Sequence, residues 1–372
     1  MKLIIERAAL LKSLGHVQNV VERRNTIPIL SNVKLNAKDG QLHLNATDMD
    51  LDVVDSTIAQ ISEPGETTAP AHLLFDIVKR LPDGAEIELD ATSSDGQMVL
   101  RSGRSRFSLS CLPANEFPVI SGGDLPVSFF LAATQLKDLI DKTRFAISTE
   151  ETRYYLNGIY VHAYTEGDAS VLRGVATDGH RLASAEIELP EGAEDMPGVI
   201  VPRKTVGELQ KLIEETEGEI SVSLSDAKIR FAFDGVTLTS KLIDGTFPDY
   251  ERVIPQGNDK ELSVGRKVLT EAVDRVSAIS TEKSRAVKLT MDSGSLVLSA
   301  SSPDSGSATD ELETAYDGER LEIGFNASYL LEIMRQLDTD DVSLQFSDAS
   351  APTIIREQGD DSTLYVLMPM RV

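Results

Sequence analysis

An α+β architecture of three similar domains is predicted for this 372-residue chain by three observations. Helix-like segments with apolar residues at three- and four-residue spacing come in two sets of three. Strand-like alternation fills the stretches between and after them. The pairs Phe117-Pro118 and Phe247-Pro248 recur one period apart. Each unit therefore reads helix, strands, helix, strands, the pattern of two helices packed on one face of a mostly antiparallel sheet.

The first set of helices covers 6–24, 134–145 and 266–276, with starts 128 and 132 residues apart. The second covers 71–81, 202–213 and 326–337, with starts 131 and 124 apart. Between them lie QLHLNATDMDLDVV, SVLRGVATDGHRLASAEIEL and SLVLSASSPDSGSATDELE, which place Ala46, Ala176 and Ala300 in equivalent positions. Asp95-Gly96 and Asp234-Gly235 are hairpin signals in the strands after the second helix. Gly, Pro and Asp cluster at 121–126 and 255–259, which sets domains of 1–122, 123–256 and 257–372.

Composition narrows the function. The apolar share is 41% and no run approaches the eighteen or so residues of a membrane helix. The start, MKLIIERAALLK, lacks the apolar core and cleavage site of a signal peptide, so the chain reads as cytoplasmic. Cys111 is the single cysteine, which excludes an internal disulfide and a thiolate zinc cluster. The net charge is −24, yet the six helical segments sum to +7 and the remainder to −31. Lys and Arg are good helix formers, which is one account of this. The other is a protein whose helices face a polyanion while its sheets repel one.

Two acidic stretches resemble sites. Asp48, Asp50, Asp52 and Asp55 have calcium-loop spacing, but the positions that need Gly and Glu hold Val53 and Ala59. Alternation with Met49, Leu51 and Val53 suits a strand with an acidic outer face. Gly359-Asp360-Asp361 falls between two strand-like runs and reads as a hairpin turn. In VATDGHRLA, Asp178 and His180 are candidates for acid/base work, and a hydrolase using them is one reading. No nucleophile motif, phosphate loop or zinc-type His pair accompanies them. The first copy, ATDMDL, has no His, so a surface role in binding stands open, as does a three-domain scaffold that never meets DNA.

RSGRSRFSLSCLP (101–113), RYYLNG (153–158), VATDGHRLA (175–183), VPRK (201–204), SKLIDGTFPDYERVIP (240–255), GFNASYL (324–330) and the ending YVLMPMRV together resemble the bacterial DNA sliding clamp family, the beta subunit of DNA polymerase III. The likeness runs from end to end. It implies a non-enzymatic processivity factor without cofactor or metal, in which two three-domain chains close head to tail into a ring around duplex DNA. Helices would line the bore and sheets form the outer wall. Implied partners are sequence-independent double-stranded DNA, the DNA polymerase III alpha subunit, the clamp loader, other polymerases and repair proteins, with no membrane.

The resemblance also implies sites. A cleft for short linear motifs maps to Leu156, Thr177, Gly179, His180, Arg181 and Leu182, to Pro248, Arg252 and Val253, and to Asn326, Tyr329, Val366, Met368, Pro369, Met370 and Arg371. DNA contacts map to Arg24, Arg153, Tyr154, Tyr155, Arg203 and Lys204. Dimer closure maps to Phe107 and Leu109 against Ala278 and Ile279. Pro352 stands where the family usually has a small polar residue, and Ala278 where it often has a larger one.

Overall fold

The computed structural model describes residues 1–372 apart from 94, 121, 122, 168, 281–284, 304 and 372. Among the described residues the α-helices are α1 (Arg7–Gln18), α2 (Ala71–Arg80), α3 (Ala133–Thr143), α4 (Arg203–Ile213), α5 (Arg266–Ser277) and α6 (Ala327–Met334). They match the six expected segments in order. The chain gathers into two compact units, one of Met1–Thr134, Pro190–Pro197 and Lys204–Leu242, the other of Gln135–Leu189, Gly198–Arg203 and Ile243–Val372.

In the first unit α1 and α2 pack on each other, α1 also on the strands Gln41–Thr47 and Leu51–Ile58 and α2 on Asn32–Lys38 and Gly65–Pro70, while a five-stranded sheet includes Lys2–Glu6, Glu86–Asp90, Gln97–Ser102 and, at one edge, Ser105–Ser110. Leu3, Leu10, Leu14, Leu74, Leu89 and Leu100 are fully buried there. Burial of each such side chain stabilises the fold by roughly 2 kcal/mol. Its second sheet has eight strands and joins two repeats, because Val236–Lys241 pairs antiparallel with Leu51–Ile58. The second unit repeats the plan. A four-stranded sheet edged by Gly306–Glu313 lies with α5, and an eight-stranded sheet is joined where Arg181–Glu188 pairs antiparallel with Thr363–Leu367. Sheets shared between successive repeats explain why the compact units cut across the central one.

Two expectations need correction. Helix α1 stops at Gln18, although the apolar spacing runs on. The amides of Val20 and Val21 donate three residues back, to Val17 and Gln18, so the chain tightens while both valines stay buried. Arg23 and Arg24 consequently lie beyond the helix. The strand Leu51–Ile58 does not show an acidic outer face either: Asp52 and Asp55 are 9% and 4% exposed, and Asp55 Oδ2 lies 2.8 Å from His16 Nδ1. The expected turn at Asp234-Gly235 forms, at φ 48° and 82°, while Gly96, at φ 72°, ends a longer connection between Glu86–Asp90 and Gln97–Ser102.

Gly158 opens the strand Gly158–Glu166, and its missing side chain lets Val199–Pro202 approach. A Cβ there would stand 2.2 Å from the carbonyl oxygen of Val201. The obstacle is backbone, so one strand must move. Gly158→Ala should destabilise the protein by about 3 kcal/mol, read as a lower urea midpoint; an unchanged midpoint would show that the two strands part freely.

Candidate functional site

Thr177, Asp178 and Arg181 build a turn that is closed by its own side chains. The Thr177 hydroxyl donates to the carbonyl of Arg181 at 2.7 Å and accepts from the amide of Gly179 at 3.1 Å. Asp178 Oδ1 accepts from the amides of His180 and Arg181 at 2.9 and 3.0 Å. Gly179 sits at φ 86°, a conformation that glycine adopts without a Cβ penalty. The remaining oxygen, Asp178 Oδ2, accepts from Arg181 Nε at 3.2 Å. Asp178 is therefore occupied in holding the loop. Among the described residues no hydrogen bond links it to the imidazole of His180, which stacks instead on Tyr329, with ring centroids 6.1 Å apart.

Arg181 is 7% exposed and donates from each of its three side-chain nitrogens. Its guanidinium also donates to Glu332 of α6 and, at 2.8 Å, to the carbonyl of Phe145. It lies over the rings of Phe145 and Tyr329, 4.9 and 4.4 Å from their centroids. Asn326 caps α6 by accepting from the amides of Ser328 and Tyr329, which fixes where Tyr329 stands. Sequence spacing gives no signal for Phe145 or Glu332, since neither lies near the turn along the chain.

Beside the turn lies an apolar cluster. Leu156, Val175, Leu182, Ile200, Phe247, Tyr250 and Val366 form one buried cluster. Pro248, Val253 and Met368 are exposed near it along the same segments, Val253 at 49% and Met368 at 40%. The C-terminal tail is strapped across at two points: the Met368 amide donates to the His180 carbonyl at 2.9 Å, and the Met370 amide to Gly324 at 2.7 Å. Pro369, Met370 and Arg371 line, with Lys288, Glu322 and Ser350, a cavity of about 570 Å³. The structure thus brings the Thr177–Leu182 turn together with Tyr329, Val366 and the tail. Arg252 is exposed and engages Asp249.

The first repeat supplies a control. Thr47, Asp48, Met49 and Leu51 make the same turn: Thr47 donates to the Leu51 carbonyl at 2.9 Å, Asp48 accepts from the amides of Asp50 and Leu51, and Met49 takes the positive φ at 82°. Strand register sets Asn45, Asp52 and Thr239 where the second turn has Val175, Leu182 and Val366. Same backbone, opposite polarity. Asp52 is pushed up to about 6 by burial, against the hydrogen bond from Asn45 and the charge of Arg230. Its Oδ1 and that of Asn45 have no hydrogen-bond partner among the described residues.

The remaining candidates fall elsewhere. Arg24 and Arg203 are exposed and make no ion pair among the described residues. Arg153 is held by Glu150 at 2.6 Å. Lys204 is compensated by Asp48 and by Glu22 at 3.4 Å; burial opposes its charge, but the two carboxylates together outweigh that and raise its pKa. Tyr154 and Tyr155 meet edge to face with centroids 5.7 Å apart, and Tyr154 is 53% exposed. Phe107 and Leu109 lie on the edge strand Ser105–Ser110, where Leu109 is already core at 4% exposure and Phe107 is half-buried. Ala278 is exposed and Ile279 half-buried just beyond α5.

Fold and site define a repeated α+β protein in which a side-chain-closed turn stands beside an apolar cluster, a chemistry suited to a peptide. The chain belongs to the DNA polymerase III beta subunit family, whose N-terminal, central and C-terminal domain models match residues 1–121, 130–249 and 251–371. It is 53% identical over 372 residues to the beta sliding clamp of Caulobacter vibrioides, with 100% of both chains covered. Identity to the Escherichia coli beta sliding clamp is 40% over 376 residues, again covering 100% of both. The crystal structure of a DnaN sliding clamp from Bartonella birtlesii bound to griselimycin superposes with a TM-score of 0.97 at 54% identity over 100% of both chains.

The contrast between the two turns yields a sign-specific expectation. Asp52 has a folded pKa of about 6 against an ordinary 3.8, so the fold bears the cost of its buried charge fully above pH 6 and progressively less as pH falls towards 3.8. Asp52→Asn should therefore stabilise the protein at neutral pH by up to about 3 kcal/mol, with the gain vanishing through that window. Chemical denaturation across pH checks this; a gain that persists at the acid end would assign it to another cause.

Proposed function

We propose that this sliding-clamp family member acts as a non-enzymatic processivity factor, two copies closing head to tail into a ring around duplex DNA, with domains of 1–122, 123–256 and 257–372. The observation that carries the binding role is the Thr177–Leu182 turn, whose carboxylate is consumed by the loop and the buried Arg181, while the exposed Pro248, Val253 and Met368 lie along the segments that carry the apolar cluster beside it. Such a site binds extended peptides and transfers no proton. Its occupants are short linear motifs of the DNA polymerase III alpha subunit, the clamp loader, other polymerases and repair proteins. Leu156, Thr177, Gly179, His180, Arg181 and Leu182 form one wall. Pro248, Arg252 and Val253 form a second, and Asn326, Tyr329, Val366, Met368, Pro369, Met370 and Arg371 the third.

Ring closure is supported by the edges. Among the described residues Ser105–Ser110 has no strand on its outer side, and it carries the exposed Arg106, while Gly306–Glu313, also at a sheet edge, carries Asp310, Glu311 and Glu313. Open edges of opposite charge in one chain suit pairing between two copies. Phe107, Leu109, Ala278 and Ile279 would pack at that joint. The DNA-facing set is Arg24, Arg153, Tyr154, Tyr155, Arg203 and Lys204. Two of its cations are offset by acidic neighbours, so contact with phosphate is weak and the hold on DNA is topological. A cytoplasmic location and the absence of membrane partners agree with this, and no described helix is long and apolar enough to cross a membrane.

Topological binding predicts that protein loaded on closed circular DNA stays through salt that abolishes electrostatic binding, yet runs off once the circle is cut. Equal loss from both forms in a gel-filtration assay would exclude a ring. Separately, a peptide with one Gln and two or three apolar residues should bind with roughly micromolar affinity. Removing Met368–Val372 should weaken it at least about tenfold by anisotropy while the sedimenting mass of the dimer stays the same; undiminished affinity would misplace the groove.

A further inference from the structure

One wall of the groove is hung on a buried polar chain that the binding role leaves unexplained. Segment 247–253 carries Pro248, Arg252 and Val253, and it is held from below by Phe247 and Tyr250, 8% and 6% exposed. Phe247 stacks on Tyr160 with centroids 4.9 Å apart and planes 7° off parallel, and Tyr160 stacks in turn on His162 at 4.7 Å. His162 Nε2 lies 3.0 Å from the Tyr250 hydroxyl, and His162 Nδ1 lies 2.9 Å from the carbonyl of Ala163. Arg173 donates to the same hydroxyl at 2.9 Å while held by Glu186 at 2.6 Å.

Donors and acceptors in this chain are all matched in one arrangement only. A carbonyl only accepts, so Nδ1 of His162 carries a proton and donates to Ala163. Arg173 only donates, so the Tyr250 oxygen accepts from it. The single proton of Tyr250 then points at Nε2, which must be bare. His162 is thus neutral in this arrangement. Adding a proton to Nε2 turns its acceptor into a donor, aims two cations at one phenol oxygen and leaves the Tyr250 proton without its partner.

We infer that His162 is a positioning residue for the peptide groove: neutral, it anchors the Pro248–Val253 wall through Tyr250, and protonated, it releases that wall and weakens peptide binding. This rests on the groove reading above. The groups that face the imidazole are Arg173, which opposes a second charge, Glu251 and Glu186, which favour it, and the rings of Tyr160, Tyr164 and Tyr250. Glu251 lies 3.5 Å from Arg173, and the Arg173 guanidinium covers the Tyr164 ring at 3.4 Å, so both carboxylates are already drawn to the arginine. Burial, aided by Arg173, keeps His162 below its ordinary 6.5. The wall is therefore held at neutral pH and freed only on the acid side of that value.

Two readouts on the full-length protein test this from about pH 8 down to about pH 5. Anisotropy with the Gln-containing apolar peptide should show affinity falling about tenfold in acid. Hydrogen exchange of the 247–254 amides, corrected for intrinsic rates, should rise over the same range. In Tyr250→Phe both should sit near their acid values at every pH. In His162→Gln, whose amide oxygen can accept from Tyr250 and cannot charge, both should sit near their neutral values at every pH. A wild-type acid dependence that survives in either variant, or exchange that ignores pH, overturns the proposal. Failure of the peptide to bind the intact protein at neutral pH would strike the groove itself, while the exchange data would still decide whether His162 holds the wall.

Discussion

The antiparallel pairing of Arg181–Glu188 with Thr363–Leu367 is the interaction on which the site depends. It joins strands from two repeats into one sheet and satisfies edges that would otherwise stand open. It also fixes a register in which Leu182 lies beside Val366 and Arg181 beside Leu367. Alternation along the strands then sends the first pair to one face and the second to the other. A slip of one residue would put a charged guanidinium into the apolar cluster, so the register is strongly specified.

Arg181 shows how a buried charge serves geometry more than stability. Desolvation of a guanidinium is costly, and ion pairs formed in a core offset it only when every donor is used. Here Asp178, Glu332, the Phe145 carbonyl and two ring faces take up the group. The result ties the turn to α6, and with it His180 to Tyr329. In the first repeat Leu51 holds the equivalent place, and the turn's carboxylate, Asp48, is met by Lys204 instead. One backbone motif thus takes two partners: a lysine clasp in one unit and a buried arginine pin in the other.

Electrostatics follow the same division. The chain is strongly acidic, and several of its basic residues are spent locally, Lys204 on Asp48 and Glu22, Arg153 on Glu150, Arg173 on Glu186. Exposed Arg24 and Arg203 remain without ion pairs among the described residues.

Repeats, helix order, the hairpin turns and the family were legible in the sequence, because periodicity and turn chemistry are local and the motifs run the whole length. The Thr-Asp turn was legible too, as a triplet repeated in Ala46-Thr47-Asp48 and Ala176-Thr177-Asp178. Local pattern failed where burial decides. Asp52 alternates with apolar neighbours as an outward residue would, yet the sheet joined across repeats covers it, and α1 ends at Gln18 because Val20 and Val21 reach the core through tighter turns. The partners of Arg181 and the chain from Arg173 through Tyr250 to His162 were beyond reach of any spacing. They lie up to 151 residues apart in sequence; Arg181 meets Glu332 only when strands from different repeats share a sheet, and Tyr250 meets His162 and Arg173 only when its own repeat has folded back on itself. Sequence determined which residues could form turns, faces and repeats; tertiary structure alone decided which polar groups would be buried together, since that depends on long-range register.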